Sequence, residues 1–74
     1  MNTDARIAQF EELCQQEPGN DMAWFSLGGA YTQAERFADA ADAYTKCFEA
    51  NETFSKAYQL AGASLIKAGE PDRA

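Results

Sequence analysis

Apolar side chains recur along this chain at helical spacing, in four blocks separated by short polar breaks. In the first block, Ile7, Phe10, Leu13 and Cys14 share one face of a helix running from about Thr3 to Gln16, with Asn2 or Thr3 as N-cap. Glu17-Pro18-Gly19-Asn20 ends it, because proline excludes the helical conformation from the residue before it and glycine permits a reversal. The second block, capped by Asn20 or Asp21 and reaching about Ala34, carries Trp24, Leu27, Gly28 and Tyr31. After Glu35 and Arg36, Phe37, Ala40, Ala41, Tyr44, Cys47 and Phe48 define a third helix to about Ala50. A two-residue break makes the second and third helices antiparallel neighbours.

Asn51-Glu52-Thr53 forms the next break. A fourth helix, capped by Thr53 or Ser55, carries Tyr58, Ala61, Gly62 and Leu65, and Gly69 suits the left-handed residue that closes it. Pro71 fits the first turn of a fifth helix, which Ala74 leaves as a stub. No stretch shows the period-two alternation of a strand, so the expected fold is all-α, a solenoid of antiparallel helix-turn-helix pairs.

An offset of 34 residues aligns Ala23 with Ala57, Gly28 with Gly62, Ala34 with Ala68, and Ala40 with Ala74; it also sets Trp24 opposite Tyr58 and Phe10 opposite Tyr44. Trp24-x-x-Leu27-Gly28-x-x-Tyr31 followed by Ala40-x-x-x-Tyr44 resembles the tetratricopeptide repeat, with Pro18 at the position of that family's proline. On this resemblance, residues 3–20 are the second helix of a partial repeat, 21–54 a complete repeat and 55–74 a truncated one. Glu52 departs from the pattern by standing where the family has proline. Glycine costs a helix about 0.8–1 kcal/mol relative to alanine. Gly28 is therefore expected to serve close packing, its small face meeting Ala40 while Trp24 and Tyr44 fill the space beside it.

The resemblance implies a protein-interaction module. In stacked hairpins the first helix of each pair lines a concave groove, and a second stripe on those helices faces it. Here that stripe is Met22, Phe25, Gly29, Thr32 and Gln33 on the second helix, and Lys56, Gln59, Ala63, Ile66 and Lys67 on the fourth. Met22 and Phe25 are expected anchors for a peptide or protein partner, and Lys56 and Lys67 receivers of an acidic group. Some family members clamp a peptide carboxylate with Lys and Asn on this stripe; Phe25 and Gly29, then Gln59 and Ala63, stand there instead. Leu60, Leu65 and Ile66 require a fifth helix to cover them, which the stub ending at Ala74 is too short to supply, so the alternative expectation is either a fragment of a longer repeat array or self-assembly as a homodimer through the C-terminal helix.

Composition narrows the remaining options. Apolar residues make up 46% and charged residues 24% of 74, the balance of a small globular domain. A net charge of −6 repels a phosphate backbone, which argues against nucleic acid. Residues 1–52 hold ten Asp/Glu against three Lys/Arg, whereas 53–74 hold two against three. No apolar run approaches the ~18 residues of a membrane span and no leader-like pattern opens the chain, so a cytoplasmic scaffold is expected. With no His and two lone cysteines, Cys14 and Cys47, nothing points to a metal, a cofactor or an enzyme. Glu11-Glu12 and Asp39-Asp42 read as solvated charges.

Overall fold

The computed structural model describes residues 3–69. They form four helices, α1 (Thr3–Gln16), α2 (Asp21–Gln33), α3 (Phe37–Ala50) and α4 (Ser55–Gly69), with no strand among the described residues. Each helix packs on the next, α1 on α2, α2 on α3 and α3 on α4, in an all-α helical repeat. The expected fifth helix lies outside the described residues.

The breaks are held by local chemistry. At the start of α2, the Asn20 side chain accepts from the Ala23 amide at 3.2 Å, satisfying an amide that has no partner within the helix. The Trp24 indole N–H donates to the Pro18 carbonyl at 2.9 Å and ties the loop back to α2. Asn51, which ends α3, donates through Nδ2 to the Asp21 carboxylate at 2.9 Å and so links that end to the beginning of α2.

The α2–α3 turn departs from expectation. Arg36 N–H bonds the Tyr31 carbonyl and Glu35 N–H the Thr32 carbonyl, a paired Schellman closure. That closure needs a left-handed residue after the helix, and here it is Glu35, at φ 62°. No glycine among the described residues has a positive φ, so neither Gly19 nor Gly69 plays the part their positions indicated. Gly69 still belongs to α4.

The core is small-residue rich. Ile7, Cys14, Ala23, Leu27, Ala30, Tyr31, Ala40, Ala43, Tyr44 and Ala61 are buried together, with Phe10, Leu13, Trp24, Phe25 and Leu60 packed partly against them. Both cysteines are buried and free, filling space as small apolar groups, and burial raises their thiol pKa values. The nearest atoms to Gly28 belong to the Tyr44 ring of α3. A methyl group at Gly28 would lie 2.6 Å from Cε1 of the Tyr44 ring. The aromatic ring therefore occupies the volume that the absent side chain leaves.

Candidate peptide-binding groove

α2 and α4, which carry the expected stripe, each pack on α3, and the Tyr44 ring of α3 borders a cleft between them. Thr32 on α2 and Lys67 on α4 border one cleft of about 170 Å³, together with Phe37, Tyr44, Leu60, Ala63 and Ser64. The Lys67 ammonium lies 5.3 Å from the centre of the Phe37 ring, which holds the charge at the rim. Thr32 donates its hydroxyl to the Gly28 carbonyl at 2.8 Å.

Other residues of the stripe are dispersed. Gly29 and Gln33 border a hollow on the far side of α2, with Arg6, Phe10, Ser26 and Ala30. Gln33 Oε1 accepts from the Arg6 guanidinium at 3.2 Å across that hollow. Met22 stands 54% exposed at the start of α2, with Lys56 exposed at the start of α4. Phe25 is half-buried: its ring stacks on Phe54 at 4.9 Å between centroids and tilts against Tyr44 at 5.6 Å. Phe54 thus packs across to α2. Gln59 turns away from the cleft, toward a larger hollow beside Phe48, Tyr58 and Ile66.

The residues of the repeat signature divide in the same way. Leu27, Gly28, Tyr31, Ala40 and Tyr44 are buried; Trp24 is half-buried, with the Lys46 ammonium 5.9 Å from its ring. Pro18 is exposed and contributes its carbonyl to Trp24. Tyr58 and Gly62, their counterparts on α4, are both exposed, and a methyl group at Gly62 would meet nothing within 4 Å. Close packing is therefore the reason for Gly28 but not for Gly62 among the described residues.

Two carboxylates taken as solvated have partners. Glu11 is half-buried and accepts a hydrogen bond from the Tyr31 hydroxyl, and burial followed by this carboxylate raises the Tyr31 pKa. An acidic residue one turn from Ile7 on α1, facing a seam tyrosine of α2, was the available signal. Asp39 pairs with Arg36 at 2.9 Å on the surface, a link of small energetic weight. No group of three His, Cys, Asp or Glu side chains is placed to hold a metal among the described residues. No described helix is long and apolar enough to cross a membrane.

With this geometry in view, the comparisons with known proteins are informative. The chain is similar to a receptor. It is 33% identical over 73 residues to the peroxisomal targeting signal receptor of Komagataella phaffii, and equally so to that of Komagataella pastoris. Those matches cover 93% of this chain and 13% of each receptor's length. No family model and no solved structure matches.

Proposed function

We propose that this chain is a tetratricopeptide-type docking module that takes an extended peptide segment of a partner protein along α2 and α4. The observation that carries the reading is the 33% identity, across nearly the whole chain, with receptors whose name denotes recognition of a targeting signal. The groove geometry indicates how such a segment would be held. An apolar side chain enters the Thr32–Lys67 cleft against Tyr44 and Leu60, while Met22 flanks the path at the other end of α2. Lys56 and Lys67 are the only charged residues of α4, so an acidic group on the peptide meets them there, in a chain otherwise strongly acidic.

Phe25 contributes by fixing the floor, since it is engaged with Phe54 and Tyr44. Exposed Met22, Thr32 and Lys67 are therefore the cleaner probes. Peptides selected on the chain from a displayed random library, alongside one bearing a peroxisomal targeting signal, supply the ligands. Binding should fall at least ~10-fold in Thr32→Arg, which blocks the cleft, and in Lys67→Glu, with helical circular dichroism unchanged. Leu65→Glu, on the opposite flank of α4, should leave binding intact. Peptide binding that survives Thr32→Arg and Lys67→Glu but disappears in Leu65→Glu would place the partner elsewhere.

A further inference from the structure

Two residues of the expected stripe, Gly29 and Gln33, stand apart from the Thr32–Lys67 cleft, in the hollow of about 400 Å³ that α2 forms with α1. The cleft and this hollow flank the last turn of α2, because Thr32 borders one and Gln33, the next residue, borders the other. Their charges agree. The cleft carries Lys67 and no carboxylate, and the hollow carries Arg6 and no carboxylate. In a chain of twelve acidic and six basic side chains, that runs against the composition. Hollows elsewhere follow the overall balance: the one beside Trp24 is bordered by Asp39 and Asp42 as well as Lys46, and the one beside Phe48 by Glu49.

Neither cation is neutralised among the described residues. The ion pair found there joins Arg36 to Asp39, and no carboxylate lies within 4 Å of the Arg6 guanidinium or the Lys67 ammonium. Arg6 donates one N–H to the neutral amide oxygen of Gln33 at 3.2 Å, which leaves its charge and most of its donors available to a ligand. The Gln33 amide nitrogen and the Ser26 hydroxyl are further donors bordering the same hollow. Lys67 rests over the Phe37 ring, a contact that leaves its ammonium without an anion. Each site also has an apolar wall, Phe10 in the hollow and Leu60 in the cleft. Cationic donors beside apolar surface suit a carboxylate on a methylene stem, which is the chemistry of an Asp or Glu side chain.

We infer that the docked segment is an acidic peptide that crosses the last turn of α2, setting one Asp or Glu carboxylate on Lys67 and a second on Arg6 and Gln33; this rests on the peptide-docking role proposed above. The probe is the tightest peptide selected on the whole chain from the displayed library, together with versions in which each Asp or Glu is replaced by Asn or Gln, titrated by fluorescence anisotropy. Neutralising either of two acidic positions should weaken binding at least ~10-fold, and the affinity of the parent peptide should fall as salt rises from about 0.05 to 0.5 M. Arg6→Glu, at an exposed position, should weaken the parent peptide at least ~10-fold, and a peptide with Lys in place of the acidic residue that meets it should regain the loss. A guanidinium that serves only the carbonyl end of α2, where a cation is also favoured, would alter stability in Arg6→Glu while leaving affinity and rescue unmoved. Binding that is lost in Thr32→Arg yet tolerates Arg6→Glu and neutralised peptides would overturn the inference and leave the groove reading in place. Sensitivity to Lys67 alone would also overturn it, because one acidic contact does not cross α2. Absence of peptide binding, or binding that survives Thr32→Arg and Lys67→Glu, would overturn both.

Discussion

The seat around Gly28 and the face around Gly62 are built from equivalent positions 34 residues apart, yet their surroundings are opposite. At Gly28 a tyrosine ring occupies the missing side chain's volume; at Gly62 nothing lies within 4 Å. Tyr31 is buried with its hydroxyl on Glu11, whereas its counterpart Leu65 is exposed beside Thr45. Glu35 bends the chain through a left-handed turn into α3, whereas Gly69 remains helical. The same residue pattern therefore specifies a seat, and only a neighbouring helix turns that seat into core.

The largest effect that sharpens this contrast is expected for Tyr44→Ala. Removing a ring that is 5% exposed, with no collapse available against a glycine, should cost ~3–5 kcal/mol in urea denaturation. Tyr58→Ala, the less buried aromatic that tilts against Phe48, should cost much less in dilute solution. Next comes the glycine pair itself. Gly28→Ala should destabilise by ~1–3 kcal/mol, because a buried ring has to move. Gly62→Ala should stabilise the single chain by about 0.5–1 kcal/mol through helix propensity alone. Changes of the same sign at both sites would break the comparison.

Glu35→Gly is expected to raise stability by roughly 1 kcal/mol, since a side chain in the left-handed region carries about that strain. The midpoint of thermal unfolding is the measure. The smallest effect concerns pH. The folded chain holds the Tyr31 proton to higher pH than the unfolded chain, so the bond to Glu11 contributes fully below about pH 10 and is lost as pH rises beyond that. Tyr31→Phe should lower stability at pH 7 and flatten its decline above pH 10, measured by urea titration at each pH.

Much of the architecture was legible before any coordinates. Pro18, the Asn20 cap and the two-residue break at Glu35-Arg36 each mark a boundary by local chemistry, and the α2 and α3 seams follow from apolar spacing. Less legible was which residue faces which. Periodicity assigns a side chain to a face, but it does not say which atoms of the facing helix come nearest; at Gly28 they are those of the Tyr44 ring. The left-handed turn was missed because glycine is its usual marker and glutamate occupies it. The stripe was readable as a face of each helix, but α2 has a neighbour on either side, so Gly29 and Gln33 border a hollow with α1 while Thr32 borders a cleft with α3 and α4. Tyr58 and Gly62 were assigned by equivalence to their buried counterparts, and equivalence says nothing about whether a covering helix is present.

The two enclosed thiols have a practical consequence. Cys14 lies in the outer helix α1 and Cys47 in α3, which packs between α2 and α4, each sealed from solvent and less prone to ionise than a free thiol. An alkylating reagent can reach either sulfur only when its own helix detaches. Peptide mapping of the label over time would then clock fraying at one edge against rupture of the centre, using probes already present in the native chain.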